Sequence, residues 1–464
     1  IQPANAVSDE VFLRRVYLDA VGLLPTNEGV VAFLADKNPD KRTKLVERLL
    51  ADDRRYTDHW ITFWQDHLRD GKKDLGTTDV FRPITGWLEH SLLSNKPVDV
   101  MVRELIDPPN AELLATDRVK ASEAGLKDKQ PGNNDSAGFL LGLQGGLEVP
   151  RGDQAWQVQG IQNLAQVFLG VQLKCATCHD SFLDRWTMDE TWAMASIYTD
   201  KPLEVTRCEV PTGRRPSPRF LFPDVGNIDP AAPVARRRAQ LAELMTTPKN
   251  GRFARTIVNR LWAKLMGQGI IATLDDMSGQ PFDADLLDWL ASDLVAHKYD
   301  LKRTLTLILT SRAYQRPAVE ADEDALFRGP RVRRLTAEEF VDAVQSLAGG
   351  KERAWHKNGD RLLEVLGRPD RRTVVTCRLD RPSALQALEL LNGAELHELI
   401  YVVKVKGPID GKLVERLYRQ ALCRLPTAKE RAICLDLLGP EPTNKQVGDL
   451  IWALAMLPEF QLVR

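Results

Sequence analysis

Residues 286–309 read LLDWLASDLVAHKYDLKRTLTLIL, and their apolar side chains fall at helical intervals. Leu286, Leu290 and Leu294 stand at i, i+4 and i+8 with Leu287 and Val295 beside them. After Asp300, a residue type suited to an N-cap, Leu301, Leu305, Ile308 and Leu309 repeat the pattern. Two successive amphipathic helices are predicted. The same period runs through Leu45, Leu49 and Leu50, through Trp60, Ile61, Trp64 and Leu68, and through Ile161, Leu164, Ala165, Phe168 and Leu169 up to Gly170. Strand-like alternation is scarce, so the fold class is mainly α.

The chain has 464 residues, 43% of them hydrophobic and 27% charged, which excludes wholesale disorder and allows two or three cores. With 63 Lys and Arg against 64 Asp and Glu it lacks the basic excess of a nucleic-acid binder. No apolar run approaches the roughly 18 residues that span a bilayer. The sequence begins at Ile1 with no signal-peptide pattern, as expected of a processed piece whose export signal has been removed. Pro211, Pro216, Pro218, Pro223, Pro230 and Pro233 crowd the stretch after Cys208, together with Arg214, Arg215 and Arg219. The expected division is therefore two helical domains, 1–207 and 234–464, joined by a Pro/Arg-rich linker at 208–233. A second loop-rich stretch is expected from Asp107 to Gly146. Arg214, Arg215 and Arg236 to Arg238 read as solvated linker charge, with attraction of a sulfated or uronic polysaccharide as the alternative.

Cys175-Ala176-Thr177-Cys178-His179 is a C-x-x-C-H sequence, the pattern for covalent attachment of one c-type haem. Two thiols on one turn can add to the two vinyl groups of a porphyrin, and the adjacent histidine then reaches the iron as proximal ligand. Zinc would require further ligands, and Cys208, Cys377, Cys423 and Cys434 contain no second C-x-x-C. A thioredoxin-like pair would sit in a βαβ setting, which the pattern lacks. The first domain is thus expected to hold haem c and to lie in an extracytoplasmic compartment. Cys423 and Cys434 flank a turn at Pro426 and read as two buried thiols, with a disulfide left open.

Many separate stretches, in order, resemble the planctomycete-type cytochrome family of paired N- and C-terminal domains. In the first half these are Phe12 to Asp19, Gly22 to Thr26, Trp64, Asp66 and Arg69 in a WxDxxR pattern, Val167 to Cys175, and Asp184 to Thr187. The second half adds Phe253 to Arg255, Val258 to Trp262, Asp275-Asp276, His297 to Lys302, Ser311 to Gln315, Arg333 to Glu339, and Gln386 to Leu388 leading to Leu391-Asn392-Gly393. The resemblance implies an exported or periplasmic protein, often encoded among polysaccharide-degrading and sulfatase functions, and so suggests carbohydrate redox chemistry. One departure stands out: relatives commonly read CxxCHxHPF, whereas His179 is followed here by Asp180-Ser181-Phe182-Leu183. The role of that second histidine as a ligand is lost.

A simple monohaem carrier needs about 100 residues, so a chain this long leaves protein for a substrate pocket, and pockets favour domain interfaces. The function expected is a haem c-dependent oxidoreductase of carbohydrate-type substrates that passes electrons to a periplasmic acceptor. The alternative is a non-catalytic cytochrome serving electron transfer or glycan and partner docking. Met188, His67 and His297 are the candidates for the distal iron position, the bland reading of His297 being a helix cap. His297, Asp276 and Glu338 are the candidates for acid/base work, and Arg260, Arg312 and Arg334 for orienting substrate or haem propionates. For each, an ion pair between helices is the competing role. Trp60, Trp64, Trp262 and Trp289 lie at core spacing and are expected to be structural.

Overall fold

A computed structural model describes residues 5–70, 84–109, 136–141, 155–207, 210–320, 327–356, 361–378, 381–401 and 412–464. The expected loop-rich stretch from Asp107 to Gly146 lies largely outside these residues, as does Cys208. The protein is mainly helical. Helices of eight residues or more begin with α1 (Asp9–Val21), α2 (Asn27–Ala35), α3 (Lys41–Ala51), α4 (Asp53–Leu68), α5 (Thr85–Leu93) and α6 (Val98–Ile106). After these come α7 (Ala155–Leu164), α8 (Met188–Ala195), α9 (Val234–Thr246), α10 (Gly251–Met266), α11 (Ala284–Ala296) and α12 (Leu301–Thr310). The C-terminal part adds α13 (Ala337–Ala348), α14 (Ala384–Asn392), α15 (Ala394–Tyr401), α16 (Leu413–Leu422), α17 (Ala428–Leu438) and α18 (Asn444–Ala455). Among the described residues the strands form two short antiparallel pairs: β1 (Thr206–Arg207) with β2 (Val210–Pro211), and β3 (Arg333–Arg334) with β4 (Leu462–Val463).

The local signals explain the boundaries. Asp300 caps α12 by accepting from the Arg303 N–H, and Asp283 caps α11 through the Leu286 N–H. Thr187 with Glu190 and Thr336 with Glu339 close reciprocal capping boxes on α8 and α13. In α11 the buried stripe is Leu287, Leu290, Ala291 and Leu294, so the helix turns Trp289 outward, 56% exposed. That corrects the expectation of a structural Trp289; Trp60, Trp64 and Trp262 are buried.

Among the described residues the buried hydrophobic side chains fall into two clusters, the larger drawn mainly from residues up to Tyr314 with Trp355 and Cys423 added, the smaller mainly from Leu335 onward. The larger holds Phe12, Trp60, Phe168, Trp192, Phe253, Trp262, Leu305 and Tyr314, and it continues across the Pro/Arg-rich stretch. There α9 packs on α6 and α12 on α3. Buried Arg237 donates to the carbonyls of Ser196 (3.1 Å) and Thr199 (2.8 Å), and Arg238 to Asp107 Oδ1 at 3.0 Å. These two arginines join helices and are not solvated linker charge; Arg236 is exposed.

The smaller cluster runs from Leu335 to Val463 and also takes Leu18 and Leu24. It includes Cys434, while Cys423 sits in the larger one; both are free thiols, and burial pushes Cys423 up to about 12. α1 belongs to both clusters. Arg14 donates to the carbonyls of Ala421 (3.0 Å) and Leu462 (2.8 Å), and Arg15 to those of Arg464 (2.8 Å) and Arg316 (2.9 Å).

Candidate functional site

The segment that delivers the C-x-x-C-H turn is a helix that changes its winding. α7 ends at Leu164, and Ala165–Leu169 continue as one π turn, a form that is rare and concentrated at functional sites. Gly170, at φ 56°, ends it; a Cβ there would collide with the Met277 side chain. The carbonyls at this end find partners from the middle of the chain. Arg260 of α10 donates to Gln166 O (2.6 Å) and Val167 O (2.8 Å), and Arg252 to Leu169 O (2.7 Å). The Met277 N–H donates to Gly170 O at 2.9 Å. Cationic forks at a helix C-terminus meet both its unpaired carbonyls and its negative dipole end.

Beyond this anchor, Cys175–Thr177 form a 3-10 turn. Cys175 and Cys178 are free and exposed, and Ala176 is buried beneath them. Trp192 Nε1 donates to Thr177 O at 3.1 Å, fixing the turn to α8. His179 Nδ1 lies 2.8 Å from Asp180 O, a pairing that protonates Nδ1 and leaves Nε2 as the lone-pair nitrogen. The Asp180 carboxylate in turn accepts from the Met188 N–H at 2.9 Å. The His179 ring stacks on Phe182 at 4.6 Å, and Phe182 and its neighbour Leu183 are 87% and 86% exposed. Two accessible thiols, a histidine with its outer nitrogen free and an uncovered apolar surface beside it fit a covalently attached porphyrin. Among the described residues, no group of three or more His, Cys, Asp and Glu is arranged to hold a bare metal ion.

The three distal candidates have different surroundings. Met188 is buried next to the turn, with its sulfur 3.9 Å from an Arg214 nitrogen. His67 is buried in α4, where Nδ1 donates to Phe63 O (2.8 Å) and Nε2 has no partner among the described residues. Burial pushes its pKa down to about 4, so the ring is neutral at pH 7. His297 occupies the cap position of α11, 44% exposed, with Nδ1 2.9 Å from Asp293 O. That is the helix-capping role.

The acid/base candidates are not gathered around one point. Asp276 accepts from the Ser278 N–H (2.9 Å) in a turn. Its neighbour Asp275, noted in the sequence only as part of a family stretch, is the hub: it takes Arg260 (2.9 Å), Gln166 (2.8 Å) and Thr376 (2.7 Å). Glu338 is buried and receives both forks of Arg378, at 2.6 and 3.0 Å. Burial opposes its ionisation, but Arg378, Arg371 and Arg368 hold the carboxyl far below the usual range. Asp66 shares this layer, bonded to Arg371 and Arg378 at 2.7 Å each. Glu338, ionised and fully paired, is a helix-to-loop fastening rather than a base poised near neutral pH. Arg334 lies half-buried on β3, and Arg312 is exposed. Asp66 was visible only as part of a pattern, and nothing in the spacing linked it to Arg371, some 300 residues away.

Residues 1–202 match a family model described as a protein of unknown function, DUF1549 (PSCyt2). Residues 237–359 and 353–438 match a second, DUF1553 (PSD1), with the same description. No curated protein and no solved structure matches the chain.

Proposed function

We propose, for a chain that carries these paired planctomycete-type domains, that it is an exported c-type haem protein acting as an oxidoreductase on carbohydrate-type substrates. Electrons would leave to a separate periplasmic acceptor. One observation carries the reading: the turn in which Cys175 and Cys178 are free and exposed and His179 keeps Nε2 open. Cys175 and Cys178 would hold the porphyrin and His179 its iron. The bound group supplies one-electron chemistry that no side chain here can. Asp180 orients the ligand through its carbonyl, and its carboxylate ties the turn to α8. Phe182 and Leu183 offer an apolar edge to the macrocycle.

The second reading, a non-catalytic electron carrier, is favoured by the scatter of the acid/base candidates. His297 and Asp276 are engaged in helix and turn ends and Glu338 in ion pairs. Expression with haem-attachment machinery separates the two. The protein should run on a denaturing gel with covalent haem, and Cys178→Ala should lose most of that stain. Reduction of the haem by a sugar supports the oxidoreductase; haem that dithionite reduces and no sugar does supports the carrier. Absence of covalent haem in competent cells overturns both.

A further inference from the structure

An open groove of about 660 Å³ runs along the helix that braces the C-x-x-C-H turn. Its volume lies within the ~300–1,000 Å³ range of small-molecule sites. One wall is α8, through Asp189 and Ala193; the opposite wall is Arg214 to Arg219, followed by Asn227, Ile228 and Pro230. The floor is apolar, with Ala193 and Ile228 buried. Pro216, Pro218 and Pro230 stiffen the rim, and the Arg219 N–H bonded to Ala193 O (3.2 Å) holds that rim to the helix.

The charges around the groove are unequal in what they are free to do. Arg214 pairs with Asp189 (3.1 Å), and Arg215 with Glu204 (3.1 Å). Arg219, Asn227 and Ser217 line the same space, and their side chains have no side-chain partner among the described residues. A guanidinium fork suits a carboxylate or sulfate, an amide and a hydroxyl suit sugar hydroxyls, and an apolar floor flanked by prolines suits the face of a pyranose ring.

From this juxtaposition we propose that the groove between α8 and Arg214–Pro230 binds an anionic saccharide, with Arg219 taking its carboxylate or sulfate and Asn227 and Ser217 its hydroxyls. The site shares α8 with the C-x-x-C-H turn: Trp192 of that helix bonds Thr177, while Asp189 and Ala193 line the groove. This deepens the proposed function by naming its substrate class, and rests on it only for the chemistry that follows binding.

Calorimetric titration of the haem-loaded full chain tests it, with an oligogalacturonate, a sulfated galactose oligomer and a neutral galactose oligomer of equal length. At least one acidic oligomer should bind, more weakly as salt is raised, and at least about tenfold more tightly than the neutral one, as expected of a charge-assisted bond. Arg219→Ala should remove about tenfold of that affinity, and Asn227→Ala should weaken it further, whereas Arg236→Ala should change nothing. Which acidic oligomer binds identifies carboxylate or sulfate. Equal binding of all three oligomers, no binding of any, or an Arg219→Ala variant with unaltered affinity overturns the site. Binding heat does not depend on haem reduction, so an acidic oligomer that binds without reducing the haem counts against the oxidoreductase and not against the groove.

Discussion

At the scale of single residues, the buried charges carry the firmest expectations. Asp66 compensates two arginines at once, and Arg371 is almost wholly buried. Asp66→Ala would leave Arg371 and Arg378 without that carboxylate, a change that costs about 3–5 kcal/mol for a broken buried pair. A lowered urea midpoint checks this; a midpoint within experimental error of the parent would mean that water replaces the carboxylate. The two buried histidines of α4 act through pH. Burial pushes His59 down to about 3 and His67 to about 4, both below the ~6.5 of an unfolded histidine. The unfolded chain therefore binds more protons between those values, and stability present at neutral pH is lost as the pH falls below ~6.5. By pH 5 the loss should be about 2 kcal/mol per histidine, following from the pKa differences. His67→Leu should flatten the fall between pH 7 and pH 5, read from denaturation midpoints; an unaltered slope would show that His67 titrates without unfolding.

Among the elements, the π turn depends on arginines from α10. Arg260 meets two backbone carbonyls and Asp275 with one planar fork, which neither a lysine nor an apolar residue reproduces. Arg260→Ala should cost about 3 kcal/mol or more through the stranded Asp275 and unpaired carbonyls. Its mark should be local: faster hydrogen exchange at the Val171 N–H, now bonded to Ala165 O at 3.1 Å, ahead of any change in α11 or α12. Exchange that rises equally everywhere would refute a local clamp. The sequence announced these helices well because periodicity and caps are local: Asp300 caps α12, and Gly170 ends its element, as their residue types indicate. It could not announce the π turn, since Ala165, Phe168 and Leu169 suit either winding and the partners that complete it lie some 90 residues on. The C-x-x-C-H residues were legible for the opposite reason, being five consecutive positions. Arg260 and Glu338 were named as chemical groups, yet their surroundings make them fastenings, and only three-dimensional packing distinguishes those roles.

For the molecule as a whole, the larger hydrophobic cluster spans the stretch at which the family matches divide. Composition marked 208–233 because prolines and arginines are dense there, and the family matches leave 203–236 uncovered between them. The larger hydrophobic cluster nevertheless draws on both sides of that stretch. A fragment of residues 1–207 would lack α9 to α12 and expose the side chains they cover, so it should be insoluble or bind hydrophobic dyes. A fragment ending near residue 320 should retain a cooperative thermal transition, at lower temperature than the full chain because Arg14 and Arg15 lose their C-terminal carbonyls. Calorimetry of the two fragments checks this; a cooperatively folding 1–207 would place the boundary back in the proline-rich stretch. Among the described residues, no helix is long and apolar enough to cross a membrane.

The widened winding before Gly170 also bears on how this chain tolerates changes of length. Converting that winding to an ordinary α-helix takes the loss of one residue, and each α-helical residue turns the chain by about 100°. A single deletion between Ala165 and Leu169 is therefore one that a return to ordinary winding absorbs, whereas a deletion within α7 would leave Cys175, Cys178 and His179 chemically intact while rotating the turn off α8 and carrying Gln166 O and Val167 O away from Arg260. The aim of the C-x-x-C-H turn is thus set by a count of residues rather than by their kinds.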